Sequence, residues 1–172
     1  MSREKVLPNN MESILNQNDF IVSKTNNKGI ITYGNKIFID MSGYSELELL
    51  GKNHNLIRHP DMPRIAFKIA WDLIESKQEF FGFVKNLRKD GGYYWVFTNI
   101  TPDFDTSGKI IGYTSVRRKA NSKALEIIIP LYNKLLSAEK SGGMEASKAI
   151  LDELLREKNI GYNELVILLQ GA

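Results

Sequence analysis

The chain has 172 residues, of which 42% are hydrophobic and 25% are charged, a composition typical of one globular domain with room for a small appendage. Its 23 basic and 20 acidic residues leave a net charge of +3 and mostly alternate in sign, which argues against nucleic acid as a partner. The absence of cysteine excludes disulfides, thiolate metal sites, cysteine nucleophiles and thiol adducts to a cofactor.

The sequence lacks the features of a membrane-inserted or exported protein. No apolar run approaches the roughly 20 residues that cross a bilayer. The first ten residues, MSREKVLPNN, lack the apolar core of a signal peptide. We therefore expect a cytoplasmic protein with no segment inserted directly into a membrane.

The N-terminal segment PNNMESILNQND predicts a short helix that ends near Asn18. Asn9 or Asn10 can act as its N-cap. Its apolar residues share one helical face, and they are Met11, Ile14 and Leu15. Residues 1–19 are therefore predicted to form a helical cap on the domain that follows.

The next segments alternate between strand and helix patterns. The stretch FIVSKTNNKGIITY predicts a tight hairpin in which Gly29 adopts a positive φ. From Asn35 to Gly51 the pattern indicates short helical turns, the last of them capped by Ser45. The loop HNLIRHPDMP, residues 54–63, holds both histidines of the chain and leads into a helix of about three turns that begins near Pro63.

The second half of the sequence changes from strands to helices. Three β-rich segments are separated by turns at residues 90–92 and 105–108, which predicts an antiparallel meander. From Ser122 onward the pattern is helical in three pieces, with breaks at residues 141–143 and at Gly161.

Three stretches of the sequence carry a family resemblance, and they are NKIFIDMSGYSELELLGKNHNLIRHPDMP, FGFVKNLRKDGGYYWV and GYTSVRRKA. The order of elements resembles the PAS domain, and these stretches resemble the flavin-binding PAS domain of bacterial aerotaxis and energy-taxis sensors. The resemblance implies an α+β PAS fold over residues 20–120, in which a five-stranded antiparallel sheet and central short helices enclose a cavity. Residues 121–172 would then form a C-terminal helical extension.

The same resemblance implies that Arg58, His59 and Asp61 hold FAD. A guanidinium suits the diphosphate of a dinucleotide, because it offers paired, charge-assisted hydrogen bonds. The alternative is structural: Pro60 and Asp61 form a helix-entry turn, Arg58 pairs with Asp61, and both histidines are exposed. The residues alone leave the role of each side chain open.

Four further positions are candidate cofactor contacts by resemblance. Asn86 would hydrogen-bond the polar edge of the isoalloxazine ring, or else bond to backbone in its strand. Asn35 matches another family position tied to the cofactor, and its alternative is a helix N-cap. Trp71 and Phe80 are candidates for apolar contact with the ring, although packing in the core is the favoured explanation for both.

Three other classes of function compete with a flavin sensor. The sequence has no GxSxG, HExxH or phosphate-binding glycine loop, so we do not expect an enzyme. A haem-binding PAS sensor is an alternative, because either histidine could be an axial ligand. A cofactor-free PAS module that only joins proteins is the third possibility.

The favoured hypothesis is a redox sensor that binds FAD and signals in trans. Bipartite energy-taxis systems pair a small PAS protein with a membrane-bound methyl-accepting transducer, and this chain resembles the PAS protein of such a system. We therefore expect such a transducer as partner, with recruitment to the inner face of the membrane, and a homodimer as a further possibility. The C-terminal helices would either cap the sheet or dock the transducer.

Overall fold

The computed structural model describes residues 6–171 and contains one five-stranded antiparallel sheet in the order β2-β1-β5-β4-β3. The strands are β1 (Ile21–Asn26), β2 (Ile31–Gly34), β3 (Phe80–Leu87), β4 (Tyr93–Phe104) and β5 (Ile110–Lys119). The helices are α1 (Lys36–Ser42), α2 (Glu46–Leu49), a 3₁₀ turn (His54–Ile57), α3 (Arg64–Glu75), α4 (Ser122–Lys158) and α5 (Tyr162–Gly171). The predicted α+β fold, with central short helices and C-terminal helices, is confirmed.

Short-range signals explain most of the elements before α4. Gly29 has φ +76° in the β1–β2 turn, as the hairpin requires. Ser45 caps α2 by accepting a hydrogen bond from the Glu48 N–H, and the Glu48 carboxylate accepts one from the Ser45 N–H. Pro63 directly precedes α3, whose 12 residues make the predicted three turns.

The predicted N-terminal helix is wrong for the part of the chain that the structure describes, because residues 6–20 contain no helix. Strand β5 pairs with β4 only from Val96 onward, so the first residues of β4 have a free edge. The N-terminal segment occupies that edge: the Ser13 N–H donates to the Tyr93 carbonyl oxygen, and the Tyr93 N–H donates to that of Met11. Sheet pairing therefore overrides the local helical pattern. Residues 1–5 of the predicted cap lie outside the described residues.

The sheet has two different faces because side chains alternate along each strand. On β3, Val84 and Asn86 face a cavity that α3 and the 3₁₀ turn enclose. Phe83, on the opposite face, is fully buried under the C-terminal helices. The outer face therefore belongs to the main hydrophobic core, and the inner face is left for the cavity.

The C-terminal helices pack on the outer face and on the β3 edge of the sheet. Gly143 has φ +69° and ψ −170° and interrupts α4, so the predicted break at residues 141–143 is confirmed. Ile128 and Tyr132 of α4 join Phe83 and Phe97 in one buried cluster. The Tyr132 hydroxyl donates a hydrogen bond of 2.7 Å to the Phe83 carbonyl oxygen.

Helix α5 completes this covering layer at the edge of the sheet. Strand β3 is an edge strand, and Asn163 satisfies part of its free edge. The Asn163 side chain accepts a hydrogen bond from the Phe81 N–H and donates one to the Glu79 carbonyl oxygen. Within residues 6–171, no helix combines the length and apolar character that crossing a bilayer demands.

Candidate functional site

A cavity of about 370 Å³ lies between the inner face of the sheet and the segment that runs from the 3₁₀ turn to α3. Its walls are mainly apolar or aromatic, and these residues are Ile57, Phe67, Ala70, Trp71, Ile74, Val84, Ile100 and Tyr113. Asn53 and Asn55 are exposed lining residues, so the mouth opens beside the 3₁₀ turn. Apolar walls with a few polar groups are typical of small-molecule sites.

Three of the predicted site residues, Arg58, Trp71 and Asn86, line this cavity. The backbones of Arg58 and Asn86 pair as an isolated antiparallel bridge, which fixes the loop against β3. The Arg58 guanidinium lies over the Phe67 ring, 4.1 Å from its centroid. Burial lowers the pKa of Arg58, and the carboxylate of Glu139 partly opposes that lowering. Arg58 is therefore a half-buried cation close to the mouth.

His59 and Asp61 follow Arg58 in sequence but do not line the cavity. The His59 ring is buried, and its Nδ1 accepts a hydrogen bond of 3.1 Å from the Asp61 N–H. Asp61 is paired with Lys85, whose Nζ lies 2.7 Å from its carboxylate, and not with Arg58. Burial, and secondly Lys85, lower the pKa of His59, so its ring is neutral near pH 7. Both residues therefore make contacts within the loop and to Lys85 of β3, outside the cavity.

Asn35 and Phe80 also lie outside the cavity lining. Asn35 is the N-cap of α1, accepting a hydrogen bond from the Phe38 N–H, and its amide donates to the Phe20 carbonyl oxygen. Its side chain is thus committed to joining α1 to the start of β1. Phe80 packs in the core and stacks on Tyr162, with ring centroids 5.8 Å apart. The structural alternatives explain both residues.

Three lining residues that were not among the predicted FAD contacts are linked to one another by hydrogen bonds. They form a chain in which the Arg117 guanidinium donates to the Ser23 hydroxyl at 2.6 Å, and that hydroxyl lies 3.0 Å from His54 Nε2. Arg117 also lies over the Phe38 ring, 4.6 Å from its centroid. Of the two histidines, His54 therefore faces the cavity and His59 does not.

The direction of this chain follows from its donors. A guanidinium can only donate hydrogen bonds, so the Ser23 proton is free to point at His54 Nε2. His54 then carries its own proton on Nδ1 and is uncharged. Burial, and secondly the Arg117 charge, lower the pKa of His54 to about 3, which agrees with a neutral ring.

Arg117 is a buried cation for which the described residues supply no carboxylate. It is 2% exposed, and burial lowers its pKa from 12.5 to about 10. Among residues 6–171, its Nε and Nη1 have no hydrogen-bond partner, and neither have Oγ1 of Thr98 or Nδ2 of Asn86. Buried polar groups are normally paired, so these donors mark where a ligand with several acceptors fits.

A signal for Arg117 was present in the sequence. Tyr113, Ser115 and Arg117 alternate along β5 and so share one face of the strand. The stretch GYTSVRRKA places two adjacent arginines at the end of that strand, and period-two alternation assigns only one of them to the inner face. Arg118, the other, is exposed on the outer face.

The fold and the site correspond to a known family. Residues 31–117 match the model of the PAS fold. Over 160 residues the chain is 36% identical to the aerotaxis receptor of Escherichia coli K12, an alignment that covers 88% of this chain and 31% of that receptor. It is also 28% identical to the nitrogen fixation regulatory protein of Klebsiella pneumoniae over 82% of this chain and 28% of that protein. The chain thus spans about a third of the length of these relatives.

Solved structures show the same fold at lower identity. The light-state structure of the blue-light photoreceptor Aureochrome1 LOV superposes with a TM-score of 0.58 at 22% identity, covering 68% of this chain and 92% of that one. A light-oxygen-voltage domain studied with a flavin analogue gives a TM-score of 0.57 at 23% identity, covering 64% of this chain and 83% of that one. The chain belongs to the PAS-fold family and is similar to the aerotaxis receptor over most of its own length.

Proposed function

We propose that this protein is a redox sensor that binds FAD in the cavity. The observation that carries the proposal is Arg117, a buried guanidinium whose Nε and Nη1 find no hydrogen-bond partner among residues 6–171, in the wall of a mainly apolar and aromatic cavity. The similarity to an aerotaxis receptor and the fold shared with light-oxygen-voltage domains support a flavin as the ligand.

The lining residues fit the parts of a flavin. Trp71 and Phe67 offer apolar surface to an aromatic ring system. Asn86, Thr98 and Arg117 lie on neighbouring strands β3, β4 and β5 and offer unpaired donors to its carbonyl and ring-nitrogen edge.

The size of the cavity supports a position at the mouth for the remainder of the dinucleotide. At about 370 Å³, the cavity is near the lower end of the roughly 300–1,000 Å³ range of small-molecule sites. It therefore suits the ring system, and the diphosphate would lie outside it. Arg58 is the lining cation close to the exposed Asn53 and Asn55, and it is the residue that we assign to the diphosphate.

A bound flavin supplies electron transfer, with a change in the charge of its ring on reduction. Arg117 would respond directly, because its attraction to the ring strengthens as negative charge develops in a buried site. Any movement of Arg117 also acts on Ser23 and on His54, through the hydrogen bonds described above. The inner face of the sheet would thus convert a redox change into a change of hydrogen bonding.

The identity of the cofactor is tested by spectroscopy of the purified protein. We expect flavin absorption near 450 nm that bleaches on reduction, and release of FAD, not FMN, when the protein is denatured, because Arg58 suits the additional phosphate. Chromatography of the released cofactor makes this assignment. Release of FMN alone would contradict the choice of FAD, whereas haem or a colourless protein would contradict a flavin sensor.

The loop is tested by substitution of Arg58 and His59. We expect Arg58→Ala to leave the protein folded but to remove most of its flavin, because the core is built by other residues. We expect His59→Ala to lose flavin as well, indirectly, because the Asp61 N–H loses its acceptor and the loop relaxes. Flavin per protein, measured by absorption, and circular dichroism report the two effects.

Arg118→Ala is the matched control for Arg58→Ala, since it removes the same charge from the opposite face of the sheet. Its flavin content should equal that of the unsubstituted protein. Stoichiometric FAD in both Arg58→Ala and His59→Ala would show that the loop has only a structural role.

The partner that we propose is a membrane-bound methyl-accepting chemotaxis transducer, bound in trans at the inner face of the membrane. The supporting feature is a set of exposed apolar side chains on the two C-terminal helices, namely Ile127, Ile129, Ile167 and Leu168. A second copy of this chain is the competing occupant of that surface.

A further inference from the structure

Glu139 on α4 is a buried carboxylate that binds the start of α3. Its side chain is 4% exposed. Oε2 accepts a hydrogen bond of 2.9 Å from the Arg64 N–H, and Oε1 accepts one of 2.9 Å from the Ile65 N–H. The Arg64 side chain adds a cation, with its Nε 3.6 Å from Oε2. A buried charge is thus compensated by two backbone donors and a guanidinium.

This contact supplies what the local sequence of α3 lacks. The N-cap of α3 is Pro63, which makes no side-chain capping bond. The first N–H groups of a helix need acceptors, and a carboxylate there also interacts favourably with the helix dipole. Glu139, 75 positions after Arg64 in the sequence, acts as the missing cap.

The same carboxylate also joins the two halves of α4. The Ser147 hydroxyl lies 3.0 Å from Glu139 Oε1, and Ser147 is completely buried. Between the two residues lies Gly143, whose backbone is not helical. Glu139 therefore links the first half of α4, the second half beyond Gly143, and the start of α3.

The helix that Glu139 caps follows the cavity loop directly. Arg58, which lines the cavity, precedes the first residue of α3 by six positions. The Glu139 carboxylate also acts electrostatically on Arg58, since it raises the pKa that burial lowers. A change in the position of the loop therefore reaches Glu139 through the backbone that leads into α3. A change in the charge of the loop reaches Glu139 through their electrostatic interaction.

We propose that Glu139 is a latch that couples the cavity loop to the C-terminal half of α4, and that residues 144–158 move about Gly143 when the latch loosens. This inference rests on the proposed function, because it makes the flavin state the signal that acts on the loop. It names the route by which a change on the inner face of the sheet reaches helices on the outer face. Glu139 and Ser147 are positioning residues, without contact to the cavity.

Hydrogen exchange of the purified protein tests the latch itself. In Glu139→Ala, we expect the first turn of α3 and residues 144–158 to exchange together, at least about tenfold faster, because a hydrogen bond to a charged group contributes about a factor of ten or more. Glu139→Gln keeps one acceptor and should show a smaller change in both segments. Glu153→Gln, an exposed change on the same helix, is the matched control and should change neither.

A double-mutant comparison of the flavin-free proteins then tests the coupling, so that loss of flavin in Arg58→Ala does not contribute to the result. We expect Arg58→Ala to alter exchange in residues 144–158 in the presence of Glu139, and to lose that effect in the Glu139→Ala background. Should Glu139→Ala fail to fold, Ser147→Ala replaces it, since it removes the bond across Gly143 and, besides that, only the bond of Ser147 to the Met144 carbonyl oxygen within the second half of α4. An effect of Arg58→Ala that is the same in both backgrounds, or absent from both, overturns the latch.

Reduction of the loaded protein separates this inference from the proposed function. We expect reduction to change exchange in residues 144–158 of the unsubstituted protein but not of Glu139→Ala. A flavin-loaded protein whose residues 144–158 do not respond to reduction overturns the latch and leaves flavin binding intact. A protein that binds no flavin contradicts the proposed function, and the double-mutant comparison still decides whether the latch exists.

Discussion

Arg117→Met is expected to stabilise the flavin-free protein and, at the same time, to weaken its binding of flavin. The guanidinium is fully buried, and the lowering of its pKa from 12.5 to about 10 corresponds to about 3 kcal/mol against the cation. Methionine fills a similar volume without that cost, and replacement of buried charges by apolar side chains is often stabilising by about 1–4 kcal/mol. Ser23 keeps its hydrogen bond with His54 in the variant.

The affinity should change in the opposite direction. Hydrogen bonds to charged groups contribute about 1.5–3 kcal/mol, so loss of the Arg117 donors should weaken flavin binding by roughly ten- to a hundredfold. The loss should be larger for the reduced flavin, because Arg117 is the buried cation of the cavity wall. The midpoint potential of the bound flavin should therefore fall.

Urea unfolding of the flavin-free protein, flavin titration and a redox titration measure these three quantities. Arg118→Met is the matched control, since it makes the same change at the adjacent, exposed position. It should alter none of the three. A flavin-free Arg117→Met protein that is less stable than the unsubstituted one would show that Arg117 supports the fold and is not held in place for a ligand.

We expect that the chain without residues 122–172 does not fold into a soluble protein. The C-terminal helices cover the outer face of the sheet, where Phe83 is fully buried and Phe97 is 5% exposed. Each large apolar side chain that becomes exposed costs about 1.5–3 kcal/mol. Their partners in the same cluster would be uncovered as well, and they are Met62 in the loop before α3 and Ile65 and Ala66 on α3. The summed cost of exposing these side chains is comparable to the free energy of unfolding of a whole domain, which is roughly 5–15 kcal/mol.

The shortened chain, residues 1–121, is assessed by its solubility and by binding of a hydrophobic dye. Residues 1–160, which keep α4 and lose only α5, provide an intermediate comparison and should retain more folded protein. A shortened chain of residues 1–121 that is monomeric, soluble and loaded with flavin would contradict the view that the C-terminal helices complete the core.

The docking surface must therefore be tested by surface substitution and not by truncation. Ile127→Lys and Ile167→Lys alter exposed positions of α4 and α5 without removing core contacts. If this surface binds the transducer, both variants should lose capture by a purified chemotaxis transducer while they keep flavin. Loss of self-association without loss of capture would assign the surface to a homodimer.

The local sequence predicts the strands correctly but not the N-terminal segment. Strands β3, β4 and β5 and their turns follow from alternation and from turn residues, which act over a few positions. The N-terminal segment carries a helical pattern, but its backbone pairs with the edge of β4, a partner about 80 residues away. Such an edge exists only after the sheet has formed, so no local pattern can reveal it.

In the candidate site, too, the sequence predicts some of the lining residues and not others. The loop at residues 54–63 stands out in the sequence because it concentrates both histidines and an arginine, and Arg58, Trp71 and Asn86 do line the cavity. His59 and Asp61 do not, because the chain turns at Pro60 and directs them towards Lys85. Neighbours in sequence are therefore placed on different sides of one loop.

By itself, the sequence determined the family, the order of the elements, the hairpin and meander turns and the break in the C-terminal helices, because short-range patterning and turn chemistry specify all of these. Only the tertiary structure decided which polar groups meet. Ser23, His54 and Arg117 come from β1, the 3₁₀ turn and β5, and Glu139 reaches α3 from α4. The physical reason is that a buried charge is compensated by whatever donors and acceptors the packed fold brings within about 3 Å of it, and this proximity is a property of the fold and not of the neighbouring residues.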